Sequence, residues 1–262
     1  MNKPLFFILA VLIGIIHGGS SDAASIAGTK HNLSTSGTGT VKSATEQRIC
    51  VFCHTPHRSM GSVRGLSVPL WNHSLSTASY TLYQSRTLLS PTSPNIQPDG
   101  ASKVCLSCHD GTVAITSIAN TGGSKTMMSM RKSSQLTPEG KLSTSASSNL
   151  GTELSGHHPI SIAMNATLLK DKESQCKSGA VTQRLCLPTN KYARLARTKN
   201  SYPNNVPSLA AVDGLQCTTC HDPHEDKLPG KTFFLRAVDK DNNWDIMCTD
   251  CHRSCSSPCT TQ

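Results

Sequence analysis

The chain has 262 residues, a formal net charge of +9 and only 4 % aromatic residues. So few rings in a chain rich in Ser, Thr, Gly and Pro exclude an ordinary domain whose core is made of side chains alone. The basic balance would suit a nucleic-acid binder, but the opening segment reads as an export signal, and an exported chain leaves most nucleic acid behind.

Met1–Ala24 reads as a secretory signal peptide. Lys3 gives a positive start, Leu5–Ile16 is an apolar run of 12 residues, too short to span a bilayer comfortably, and Ser21-Asp22-Ala23 fits a small-x-small cleavage site. Residues 25–262 are expected to form one exported domain with no transmembrane segment. His31, in Thr29-Lys30-His31-Asn32-Leu33-Ser34, stands apart from every cysteine. It is either a solvated surface residue or a metal ligand.

One phrase, Cys-x-x-Cys-His, then occurs four times, at Cys50–His54, Cys105–His109, Cys217–His221 and Cys248–His252. It has the form of a c-type haem attachment site. Two thiols can add to the two haem vinyl groups, and the next His can swing under the ring to ligate iron. Paired Cys-x-x-Cys units also bind zinc, but zinc has no need of a His directly after the second Cys. A redox Cys-x-x-Cys would sit near a βαβ pattern, and none is visible. The phrase therefore predicts four covalent haems, held by Cys50, Cys53, Cys105, Cys108, Cys217, Cys220, Cys248 and Cys251, with His54, His109, His221 and His252 as proximal ligands.

The first and third copies extend to Cys-x-x-Cys-His-x-Pro-His, adding His57 and His224. Each extra His lies three residues past its proximal neighbour and cannot easily reach the opposite face of the same iron, so each is read as serving a neighbouring haem. An extended copy followed by a plain copy occurs twice, which suggests two haem-pair repeats, about 50–114 and 217–252. His57 and His224 are expected to join the members within each pair.

Between the sites, Trp71 in Pro69-Leu70-Trp71-Asn72-His73 is expected to pack on a haem edge, and His73 is a reserve ligand. Gly111 is expected to let the chain turn close beside a ring. Residues 121–150 read as an exposed Ser/Thr/Lys/Gly loop, with Met127, Met128 and Met130 as unfavoured axial alternatives. In Gly156-His157-His158-Pro159, the residue before Pro is held extended, and one of the two His is expected to ligate iron. Cys176 with Cys186, and Cys255 with Cys259, are expected as two local disulfides, as suits an exported chain.

With 11 His in all and His17 lost with the signal, ten remain, four of them proximal. His31, His57, His158 and His224 are chosen for the distal positions, with His157 and His73 as alternates. Six-coordinate bis-His iron has no open face and carries electrons without binding substrate. The expected fold is mostly irregular coil with few short helices and little sheet, its core being four stacked haems. Two propionates and one ferric charge per haem would bring the formal charge to about +5 oxidised and about +1 reduced.

The phrases Cys-Val-Phe-Cys-His-Thr-Pro-His, Pro-Leu-Trp-Asn, Cys-Leu-Ser-Cys-His-Asp-Gly-Thr-Val-Ala, His-Pro-Ile-Ser and Cys-Thr-Thr-Cys-His-Asp-Pro-His resemble those of the multihaem c-type cytochromes of metal-reducing bacteria. The early Thr-Lys-His-Asn-Leu-Ser and the four-haem total bring the chain nearest to the OmcE type, whose members polymerise into extracellular filaments. The resemblance covers most of residues 25–254. It implies a head-to-tail homopolymer conducting electrons to extracellular acceptors, with His31 completing a haem of the neighbouring subunit and His158 as the ligand in the His-Pro-Ile phrase. His157, the Cys176/Cys186 segment and the tail Arg253–Gln262 depart from the pattern. A soluble periplasmic electron shuttle is the runner-up reading, and a multihaem reductase, which would need an open haem face, the third.

Overall fold

Short regular elements joined by long irregular segments make up this protein. The computed structural model describes residues 26–57, 62–63, 66–67, 70–85, 96–120, 128–201, 206–226, 233–238, 241 and 243–259. The signal segment Met1–Ala24, Pro69 and Met127 lie outside the described residues.

In chain order the elements are β1 (Ser62–Val63), β2 (Leu66–Ser67), α1 (Gly100–His109), β3 (Ile162–Ala163), α2 (Ala166–Lys177), β4 (Gln183–Leu185), β5 (Ala196–Ser201), β6 (Val206–Leu215), α3 (Cys217–Cys220), α4 (Asp245–Cys251) and β7 (His252–Ser254). The expectation of few short helices and mostly coil is met. Among the described residues, sheet is present as three small antiparallel sheets, β1–β2, β3–β6–β5 and β4–β7. Among the described residues, no helix is long and apolar enough to cross a membrane.

Local chemistry sets the helix ends. Asn165 caps α2 by accepting from the Leu168 N–H, and Gly179, at φ +72°, closes its far end. α1 follows the extended Asp99, whose carboxylate turns away from the helix. The Ser102 N–H in its first turn donates instead to the Gln216 side chain, 2.9 Å away. Asp99 is fully buried and accepts from Thr198 Oγ1 (2.9 Å), the Lys199 N–H (2.6 Å) and Gln216 Nε2 (2.9 Å). One carboxylate thus fixes the start of α1, strand β5 and the residue leading into α3. Buried acceptors satisfied this fully hold elements in register.

Among the described residues, apolar burial is divided among four small clusters. Val51, Phe52, Ile115, Leu142 and Ala146 form one, with Cys53, Cys108, Met128 and Met130 packed against it. Tyr80, Leu82, Ile96, Leu106 and Leu154 form the second, around α1. Ile162, Ala163, Met164 and Leu168 form the third, and Ala193, Ala237 and Met247 the fourth, beside Cys220. The stretch read as an exposed loop therefore contributes Leu142 and Ala146 to a core. It carries few apolar residues, and Leu142 and Ala146 among them are buried while Leu150 is exposed, a difference that a compositional reading averages away.

The four cysteines outside the Cys-x-x-Cys-His phrases are all disulfide-bonded, but not as the two local pairs expected. Cys176 bonds Cys255, and Cys186 bonds Cys259, at sequence separations of 79 and 73. The antiparallel pairing of β4 with β7 carries the C-terminal tail back across the α2–β4 segment, so spatial neighbours replace sequence neighbours.

Candidate haem-binding sites

Each Cys-x-x-Cys-His phrase sits on a single helical turn. The His54 N–H donates to Cys50 O (2.7 Å), the His221 N–H to Cys217 O (3.0 Å) and the His252 N–H to Cys248 O. His109 ends α1, one turn after Cys105. Residues i, i+3 and i+4 lie on one helix face, so both thiols and the imidazole converge on the same side. The single turn of α3 is held by a reciprocal box in which the Gln216 N–H donates to Thr219 Oγ1 at 2.9 Å.

Three of these imidazoles face a second imidazole from a distant part of the chain. His54 faces His224 with ring centroids 6.0 Å apart and planes 16° from parallel. His109 faces His31 at 6.0 Å and 65°, and His252 faces His158 at 6.3 Å and 85°. Two imidazoles bound to opposite sides of one metal ion, each through a bond of about 2 Å, hold their ring centres roughly 6 Å apart. The spacing fits a pair of axial ligands and is too wide for direct stacking.

Hydrogen bonds orient several of these rings. Nδ1 of His31 contacts Pro223 O (2.9 Å), that of His109 contacts Ser148 O (2.8 Å), that of His158 contacts Pro159 O (3.0 Å) and that of His221 contacts Phe233 O (2.9 Å). A backbone carbonyl that takes the Nδ1 proton leaves Nε2 as the ligating atom, the usual outer-shell arrangement of a metal-bound His. Burial holds His31, His109 and His252 below the ordinary imidazole range, which favours the neutral, ligating form.

The reserve ligands fare differently. His73 is buried with both ring nitrogens engaged, Nδ1 with Ser74 O (2.9 Å) and Nε2 with Ala114 O (3.0 Å). It braces the 73–74 and 114–118 segments and has no nitrogen left for a metal. Of the adjacent pair, His158 and not His157 is the residue opposite His252. Met128 and Met130 pack into an apolar cluster. His57 lies in a turn pinned by Thr55 Oγ1 and Asn120 Nδ2, which both donate to its carbonyl.

The repeat pattern predicts that His224 serves a site in its own half, whereas its ring lies across from His54 in the other half. The resemblance implies that His31 completes a haem of a neighbouring subunit, while the sequence leaves action within its own chain open; its ring lies across from His109 of the same chain. Both depend on tertiary placement, which neither spacing nor repeat pattern encodes.

The sites are adjacent in chain order. Cys53 and Cys108 pack against one apolar cluster, the Cys217 N–H donates to Ser102 Oγ of α1 (3.0 Å), and Cys220 packs against the cluster that holds Met247, next to Cys248. As thiols, Cys53 and Cys220 are pushed up to about 11 and Cys108 and Cys251 to about 12, chiefly by burial. Cys217 moves down to about 7 because Cys105 donates to it. Apart from Cys217, these are protonated thiols, unlike the low-pKa cysteines of redox enzymes.

Two features escaped the sequence reading. Phe234 stacks on His31 at 4.2 Å and 22°, while Phe233 supplies the carbonyl facing His221. Both have positive φ, +49° and +63°, a strained conformation for a bulky residue of the kind found at functional sites. A Phe-Phe step in so aromatic-poor a chain was the only signal. Trp71, expected at a haem edge, lies edge-on to His54 at 6.3 Å, and its buried Nε1 has no hydrogen-bond partner among the described residues. No protein-family model matches the chain, and no curated protein matches it significantly.

Proposed function

We propose that this protein is an exported electron carrier with four covalent haems c, one at each Cys-x-x-Cys-His, whose rings supply most of its core. One observation carries the reading: three phrase His residues each oppose a remote His at 6.0–6.3 Å, the separation that two axial imidazoles require. Zinc or a dithiol enzyme gives no reason for that separation. The unpartnered indole N–H of Trp71 suits a carboxylate such as a haem propionate.

A bound haem would supply a one-electron ferric–ferrous couple. The chain's residues anchor and orient it. Cys50 and Cys53 with His54 and His224 make the first site, and Cys105 and Cys108 with His109 and His31 the second. Cys248 and Cys251 with His252 and His158 make the fourth. The third has Cys217, Cys220 and His221, and takes His57, the distal candidate left over. The first and third sites then exchange ligands reciprocally, each lending its extra Pro-His to the other. Two His per iron leave no open face, so the protein is a carrier and not an enzyme. Adjacent sites in the order one to four form a path for electrons.

The extracellular filament suggested by the resemblance to OmcE-type cytochromes is the larger form of this proposal. With His31 facing His109 of its own chain, such a filament would need another residue at its subunit junction. Electron microscopy of the exported protein separates filaments from a single periplasmic carrier. The haem reading itself is tested by expression with a cytochrome c maturation system. Intact mass should show four haems, and the ferric spectrum should be wholly low-spin. Fewer than four haems, or bound zinc, overturns it.

A further inference from the structure

The region around the fourth site is built unlike the other three. Every residue from Asp250 to Cys255 is tied to the segment 182–193. The buried Asp250 carboxylate accepts from the Thr189 N–H and hydroxyl and from the Ala193 N–H. Cys251 O accepts from the Cys186 N–H at 2.8 Å. His252, Arg253 and Ser254 form β7, paired in register with Leu185, Arg184 and Gln183. The Cys255 N–H donates to Thr182 O at 3.1 Å.

The two disulfides flank this strand pair. Cys186, bonded to Cys259, directly follows Leu185, the register partner of His252. Cys255, bonded to Cys176 at the end of α2, comes three residues after His252. His158, the ring opposite His252, lies outside both disulfide loops, seven residues before the Asn165 cap of α2, the helix that carries Cys176. The bridges therefore hold the His252 side of the pair.

We propose that the Cys176–Cys255 and Cys186–Cys259 disulfides act as a positioning clamp that fixes His252 against His158 at the fourth haem. This rests on the haem reading. General stabilisation would need no particular location, whereas both bridges close within a few residues of one axial ligand or its strand partner. The near-perpendicular 85° between these two rings is the feature the clamp preserves, because β7 begins at His252 and its backbone cannot turn while β4 is held.

The test uses holoprotein carrying the paired substitutions Cys176→Ser/Cys255→Ser and Cys186→Ser/Cys259→Ser. A second sample is wild-type holoprotein with both disulfides opened by a phosphine and the four thiols alkylated. Haem thioethers are not reduced by phosphine, so attachment stays intact. Near-perpendicular imidazoles give ferric iron a strongly axial electron-paramagnetic resonance signal, and the 85° pair should give the most axial of those present. The expected result is four haems retained, that signal shifted or broadened, and one of four midpoint potentials moved. Four unchanged potentials and an unchanged axial signal, with thiol counting confirming open bridges, overturn the clamp. Equal disturbance of all four haems also overturns it, since that is a general structural role. If the variants do not mature, the phosphine-opened protein decides. A wild type with fewer than four haems overturns the haem reading itself, and the clamp with it.

Discussion

Removing the His224 imidazole should disable the first haem site, although His224 lies three residues from the third site's own proximal His221. The structure sets the size of the effect. His224 faces His54 at 6.0 Å with ring planes 16° apart, and this is the near-parallel pair among the three observed. In His224→Ala, one haem in four loses its second axial ligand. The ferric spectrum should show about a quarter of the iron as high-spin, and one carbon monoxide should bind per four reduced haems, since an emptied axial position is what admits a ligand. The low-spin signal that disappears should be the rhombic one expected of near-parallel imidazoles, and the strongly axial signals of the 65° and 85° pairs should persist. Added imidazole should refill the position and restore the lost signal. If no haem binds carbon monoxide, or if an axial signal vanishes and the rhombic one stays, the pairing of His224 with His54 is wrong.

His73→Ala should leave four low-spin haems but lower stability by about 2–4 kcal/mol, because a buried ring and two buried hydrogen bonds are lost; chemical denaturation and the ferric spectrum together check this. Gly111→Ala should cost about 2–4 kcal/mol on the same measurement. Gly111 has φ +69°, and an added Cβ would come 2.3 Å from Asn149 Nδ2, straining the backbone and displacing an amide that donates to Leu142 O and Ser143 O. The Glu46–Arg48 pair should make a small pH-dependent contribution. Arg48 donates to Glu46 and lowers its pKa from 4.5 to about 2, so the contribution is complete above 4.5 and lost as pH falls through 2. Glu46→Gln should remove that part of the acid transition in a pH series of thermal midpoints, and an identical profile in the variant would contradict it.

What the sequence revealed and what it hid divide along a physical line. The Cys-x-x-Cys-His phrases place two thiols and an imidazole on one turn through covalent spacing alone, so the proximal residues are readable without a fold. The His157–His158 pair was also readable as a candidate, because the Pro that follows restricts its backbone, although the choice of His158 came from the resemblance. The distal partnerships were not. His57 and His224 occur in identical phrases, and that identity suggested pairing within each half. The choice between halves depends instead on how α1 meets α3. That meeting is held by buried polar contacts of Asp99 and Gln216, residues with no motif around them.

The same division explains the disulfides and His31. Cys176 and Cys186 are ten residues apart, and loop closure favours short loops only weakly. The β4–β7 register therefore overrides proximity and sends each cysteine to the tail. His31 has no neighbouring signal beyond a resemblance that placed its partner in another subunit. Within this chain Phe234 stacks on one face of its ring and Pro223 O takes its Nδ1, which leaves the remaining nitrogen for the site that His109 shares. A filament junction using His31 would have to break both contacts. If filaments form, their junction is therefore to be sought first at surfaces that leave the His31–His109 pair in place.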